Sequence, residues 1–320
     1  MINLLRAEAA RLLSRRFAAV ALLIVLLGIG AWQIQVYFEL SPPGAAELAQ
    51  AQSSFDESHQ DWVDHHLEYE KECVDGGQPA NECTIPEPTL NDYLYQGTFR
   101  EVATSSVTLT SYVVALAVFM IAGSYIGAEY SSGSIANWLS FVPRRRAVYA
   151  AKLITVVLFA AAVAFVFQAL TVGFALSVAS SYDQPTDGLD KVADLAARGL
   201  LLPVLLGVLG ACIGFLARHT AAAIGFLLGY LVLWFVRNGP LAEVAWAQRL
   251  TPWVPEANLA ALLNNGHTYA IPVVTVTPEG KSFDEIEKHL SLAHGAVYWA
   301  VLMVVVVLAT GLVFRRRDVS

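Results

Sequence analysis

Long uncharged runs alternate with polar segments along the chain. Residues 17–38, 107–128, 153–178, 200–217, 221–236 and 296–314 contain no Asp, Glu, Lys or Arg. A helix that crosses a bilayer needs about 20 apolar residues, so the pattern predicts six spanning helices, the fifth being the shortest. The first run is too long for the apolar core of a signal peptide, and sixteen residues precede it; it is read as an uncleaved helix. Pro203 predicts a kink in the fourth span, since its ring displaces the carbonyl four residues earlier.

The polar segments carry periodicities of their own. Over residues 2–16, Leu5, Ala9, Leu12, Leu13 and Arg16 share one side of a helix, with Arg6, Glu8, Arg11 and Arg15 on the other. An apolar stripe opposite a basic face predicts a helix lying in the membrane interface. Over 43–71, Leu48, Phe55, Trp62 and Tyr69 recur every seven residues, which predicts a helix with one apolar seam. A second helix near 90–103 is expected to cover that seam, making a small helical cap over the first two spans. Between spans two and three, Ser131 and Ser132 suit a helix N-terminus. Ile135, Trp138 and Leu139 follow at i, i+3 and i+4 and give the short helix one apolar face. Pro143 ends it, and Arg144, Arg145 and Arg146 meet the lipid headgroups. Lipid and a protein partner would serve that apolar face equally well. Residues 259–263 read as a short helix near the interface, and 281–293 as a further helix leading into span six.

Composition agrees with this organisation. The 320 residues are 56% hydrophobic and 15% charged, with a mean hydropathy of +0.53, whereas soluble domains run near a quarter charged. The fold class is therefore an all-α polytopic membrane protein with six transmembrane helices. A net charge of −7 without a basic domain argues against nucleic-acid binding. With the N-terminus in the cytoplasm, twelve of the 20 basic residues and three acids lie inside, and eight bases with 24 acids lie outside. The resulting +9 inside and −16 outside follow the positive-inside rule. Six spans then return the C-terminus, with Arg315–Arg317, to the cytoplasm. Trp32, Tyr37, Tyr149, Tyr182, Trp234, Tyr298 and Trp299 fall near the expected interfaces, where amphipathic rings settle.

Candidate chemistry is sparse. The span centres hold no ionisable relay of the kind that gradient-driven carriers use. Gly123 and Gly127, Gly210 and Gly214, and Gly225 and Gly229 stand four apart, spacing that suits packing within the chain or a seam between copies. Cys73 and Cys83 lie in the outer segment 39–105, which holds 14 acids and two bases. A disulfide is expected there, two reduced thiols being the alternative; Cys212 reads as a buried small hydrophobe. His59, His65 and His66, among Asp61, Asp64 and Glu68, read as a solvated face because metal-ligand spacing is lacking. Gly280-Lys281-Ser282 resembles the tail of a phosphate-binding loop, but Thr275 replaces its leading Gly. An intramembrane hydrolase would need a base beside Ser124 or Ser177; His219 sits at a turn and no such constellation forms.

The chain resembles a permease subunit of the ABC-2 type transporter family over most of its length. Three stretches carry the likeness: Arg6-Ala7-Glu8 with Ser14-Arg15-Arg16 before the first span, Gly127-Ala128-Glu129-Tyr130-Ser131-Ser132-Gly133-Ser134 with Leu139, Pro143 and Lys152 after it, and Pro252-Trp253-Val254-Pro255-Glu256-Ala257-Asn258-Leu259. Ser134 stands where Thr is usual, and segment 39–105 is larger than in minimal members. The resemblance implies that Glu129, Tyr130, Ser132, Gly133, Ser134, Ile135, Trp138 and Leu139 couple the chain to a separate ABC ATPase subunit. Arg15, Arg16 and Arg144–Arg146 would hold the loop at the membrane surface. ATP and Mg would sit on that partner, with no cofactor on this chain, and a second permease copy or a homologous permease would complete the path. The expected function is export of an amphipathic or hydrophobic substrate (drug, peptide antibiotic or lipid) across a bacterial cell membrane. A receptor or immunity protein with an outer binding cap and no transport of its own is the competing reading.

Overall fold

The computed structural model describes residues 2–94, 97–141, 144–242, 244–277 and 280–316. Pro143 and Arg317 lie outside the described residues, as does the side chain of Leu139. The chain opens with α1 (Ile2–Leu13), breaks at Ser14-Arg15 and enters α2 (Arg16–Leu40). A long polar helix α3 (Ala45–Asp75) precedes α4 (Phe99–Ser131), the short α5 (Ser134–Phe141) and the 37-residue α6 (Arg145–Ser181). Next come α7 (Leu189–Gly199), α8 (Leu201–Ala217), α9 (Ala221–Asn238), α10 (Ala245–Gln248) and α11 (Pro255–Leu263). An antiparallel hairpin, β1 (His267–Thr277) and β2 (Gly280–Leu290), leads into α12 (Leu292–Arg316).

Each predicted span lies within a helix long and apolar enough to cross a membrane: α2, α4, α6, α7–α8, α9 and α12. The break at Leu200 falls where Pro203 removes a hydrogen bond and crowds the carbonyl of residue 199, as expected from the sequence. Helix α4 is the central pillar: 61% of its most apolar stretch is buried, against 6% for α9 and 17% for α12. Small residues let its neighbours close in. A Cβ on Gly210 would lie 2.2 Å from the Phe119 carbonyl oxygen, and one on Gly214 2.8 Å from that of Gly123. Two glycine pairs are thus consumed by packing inside the chain, while Gly225 and Gly229 on α9 face open space. Buried polar pairs add directional contacts: the Thr110 and Thr171 hydroxyls are 3.0 Å apart, and Gln168 Nε2 donates to Ser111 Oγ at 2.7 Å. Such pairs hold helices together where water is absent. Trp299, expected at an interface, is instead buried among Leu40, Phe99 and Leu262.

The end carrying α3 differs from expectation in two places. The α3 seam is covered by an extended strap and a single 3₁₀ turn (Leu90–Tyr93), since α4 begins only at Phe99 behind a Thr98–Glu101 capping box. Trp62 Nε1 donates to the Ile85 carbonyl at 3.0 Å, Ile85 N–H donates to Glu70 at 2.9 Å, and Phe55 packs edge-on against Tyr93. Cys73 and Cys83 are disulfide-bonded and close this strap. His59 meets Glu87, His65 meets Asp61, and His66 stacks on Trp62. The second difference is 281–293, where β2 replaces the expected helix: eleven-residue pairing with the β-branched β1 outweighs the helix propensity of its Glu and Lys residues. The apolar stretch 259–263 does fall in a helix, α11. Arg237 at the end of α9 bonds Glu256 at 3.1 Å and Thr251, and Tyr230 also donates to Glu256, tying α9 to α11.

Candidate functional site

The end of the molecule opposite α3 gathers most residues singled out from the sequence. Helix α4 stops where Gly133 takes φ +68°, a conformation that favours glycine. Ser134 Oγ donates back to the Glu129 carbonyl at 3.3 Å and Ser132 Oγ to Ser134 Oγ at 3.1 Å, so the serines brace the turn between helices. The chain then runs out as α5. Gly127 permits the 218–220 turn to seat against α4, for a Cβ there would lie 2.7 Å from the His219 backbone. Arg218 sits 5.4 Å over the Tyr130 ring from that turn.

The apolar face of α5 is turned onto the chain itself. Ile135 is buried with Leu12, Ala18, Ile121, Tyr125 and Phe314. The Arg11 guanidinium lies 3.9 Å over the Trp138 ring, and the buried indole N–H meets no acceptor among the described residues. These two residues answer the burial demand of the amphipathic pattern internally. The open face of α5 carries Ala136, Asn137, Ser140 and Phe141, the last 79% exposed.

Beneath α5 lies an ionic cluster. Lys152 Nζ, on α6, is 2.7 Å from Glu8 Oε2 on α1 and 2.7 Å from Glu129 Oε2 on α4. Tyr125 donates to Glu8 Oε2, and Lys152 Nζ approaches Tyr125 Oη at 3.4 Å. Lys152 and Glu8 are fully buried and Glu129 nearly so. Charges removed from water are tolerated only when paired closely, so three helices must keep this arrangement for the charges to stay paired. Arg15 flanks it, donating from Nη1 to the Ser124 carbonyl at 3.0 Å. Arg16, Arg144 and Arg146 are exposed at the same end, and Arg145 reaches the Arg315 carbonyl at 3.4 Å.

Glu8 is a correction: the helical wheel groups it with the outward basic face, yet it points into the bundle. The signal was present, because Leu5, Glu8 and Leu12 follow one another at i, i+3 and i+7 along one edge. No local pattern marks Tyr125, or Lys152 beyond its place in the motif, as part of a site. Lys152 heads a 30-residue stretch free of charge, so it enters the membrane-spanning part of α6 and needs buried partners.

The fold defines an all-α, polytopic membrane protein with a short helix projecting at one end and charges buried at its base. The family profile for ABC-2 family transporter proteins matches residues 2–319, and the chain belongs to that family. It is accordingly a membrane-spanning component of an ABC transporter. Searches of curated proteins and of solved structures return no match.

Proposed function

We propose that this chain is the permease of an ATP-driven exporter whose ATPase is a separate subunit docking on the open face of α5. Family members typically work with such a subunit. The observation that carries the reading is α5 itself: a helix held off the bundle by a glycine turn, anchored inward through Ile135 and Trp138, and presenting Phe141 outward. Motion imposed there meets the Glu8–Lys152–Glu129 cluster, which joins α1, α4 and α6. Tyr130, Ser132, Gly133 and Ser134 form the hinge between the projection and the pillar.

The cytoplasm is assigned to the α5 end, with both termini. Charge asymmetry along the sequence supports this, as does the Cys73–Cys83 disulfide at the other end, which suits an oxidising compartment. Arg15, Arg16, Arg144, Arg145 and Arg146 then lie at the inner headgroup level of a bacterial cell membrane. A second permease, identical or homologous, is assigned to the side of α9, where a Cβ on Gly225 or Gly229 would meet nothing within 4 Å among the described residues. Uncharged span centres suit an amphipathic or hydrophobic cargo. ATP and Mg belong to the partner.

Isolation of the detergent-solubilised complex tests this. An ABC ATPase is expected to accompany the chain and to be lost with Phe141→Asp; recovery of a signalling partner, or of the chain alone, would favour the receptor reading instead.

A further inference from the structure

A groove of about 770 Å³ runs between α2 and α6, open to the side. Its floor is Ile29, Gln33, Phe167 and Thr171, all buried, and Leu26, Ile34 and Leu170 form exposed walls. Gly30 and Gly173 keep its rims low, since a Cβ at either meets nothing within 4 Å. From Leu26 to Tyr37 the groove runs eleven helical steps, about 16 Å at the α-helical rise. That is close to half of a hydrocarbon core of about 30 Å, the depth of one leaflet. At its upper end the Tyr37 and Tyr182 hydroxyls stand 2.7 Å apart, polar groups suited to the headgroup level. One turn below Tyr37, Gln33 is 8% exposed and donates Nε2 to the Thr171 carbonyl at 3.3 Å. Among the described residues no donor meets its Oε1, and an unpaired buried amide oxygen is unfavourable.

We infer that this groove binds the tail of a membrane amphiphile bearing an amide N–H or hydroxyl where head meets tail. The upper part of the tail fills the apolar trough from Gln33 down to Leu26, about 10 Å, its head lies by Tyr37 and Tyr182, and the junction donor sits at the depth of Gln33. A diester phospholipid offers only acceptors at that depth and leaves the Gln33 oxygen unmatched. This inference depends on the spanning helices alone and needs neither nucleotide nor an ATPase.

The test uses the full chain in phosphatidylethanolamine–phosphatidylglycerol vesicles with two photoactivatable probes of equal chain length. Ceramide phosphoethanolamine carries the amide and hydroxyl; diester phosphatidylethanolamine has the same headgroup without them. The first is expected to label residues 26–37 and 167–177 more strongly by roughly fivefold, the scale of one hydrogen bond. Gln33→Leu should equalise the probes while labelling persists, and Gly30→Leu should abolish labelling by both. Leucine at 30 enters open space and favours helix over glycine, so that variant folds. Gly28→Leu, on the groove shared with Trp32 and Leu109 on the other side of α2, should change nothing. Equal labelling of the unaltered chain, or labelling that survives Gly30→Leu, overturns the inference.

Discussion

Glu8 and Lys152, 144 residues apart in sequence, meet at 2.7 Å with both side chains fully buried. The contact fastens the first helix of the chain to the base of its longest one. Removing a single member of a buried pair leaves the other charge uncompensated, which costs about 3–5 kcal/mol. Lys152→Met strands the Glu8 and Glu129 carboxylates and is expected to lower the unfolding midpoint in detergent markedly, whereas Glu8→Leu leaves Lys152 paired with Glu129 and should cost less. The inverted cluster, Glu8→Lys, Lys152→Glu and Glu129→Lys, keeps opposite charges at both contacts of residue 152 and should recover much of the loss; an inversion no better than Lys152→Met would show that the pairing contributes little.

On α5, inward and outward residues should separate in their effects. Trp138→Asp puts a carboxylate into a half-buried place beside Arg11 and under the bundle, so it should reduce thermal stability together with coupled ATP hydrolysis. Phe141→Asp touches only the exposed face and should leave the melting temperature unchanged while abolishing capture of the ATPase. Thermal melts and pull-downs on the same preparations distinguish the two.

The glycines of α8 and α9 make a second contrast. Gly210→Leu drives a side chain into the Phe119 backbone, overpacking that costs at least about 1–3 kcal/mol, and should abolish folded yield. Gly225→Leu enters open space and should yield folded chain, with its effect confined to pairing of permeases as read by crosslinking along α9.

Loss of the Cys73–Cys83 bond releases a loop of sequence separation 10, worth about 3 kcal/mol by loop entropy. Reduction, or replacement of both cysteines by serine, should expose residues 74–90 to protease. The spanning helices should keep their melting temperature, because α3 packs chiefly on the turn at 90–93.

Acidification should loosen the base of the hairpin. Burial, and next the nearby Arg237 charge, hold the His267 pKa below its usual 6.5. The unfolded segment therefore binds a proton more readily than the folded one. The stabilising contribution is present above about pH 6.5 and is lost as the pH falls through the depressed folded value. Amide exchange across β1 should accelerate in that window, and His267→Gln should flatten the response.

The spanning helices could be read in advance because bilayer thickness imposes a length that few soluble segments reach. The amphipathic α5 and the cysteine bridge were legible for similarly local reasons: three apolar residues on one face, and two thiols across a Gly- and Pro-containing loop. What local pattern did not reveal was direction. Ile135 and Trp138 demanded burial without specifying against what, and the answer came from α1, more than a hundred residues away. Glu8 groups outward with the charged Arg11 and Arg15 on a helical wheel, while its buried partner lies on α6. The β2 strand was obscured likewise, since Glu, Lys and Leu residues favour helix until β1 supplies a ladder of hydrogen bonds.

At 37 residues, α6 is a rod of about 55 Å, nearly twice the oily thickness of a bilayer. Lys152 lies in its second turn, next to the projection. A stiff shaft gripped near one tip works as a lever: tilting it by about 5° about Lys152 would sweep the far tip through roughly 4 Å. Small strokes at the gripped tip are thereby geared up at the other.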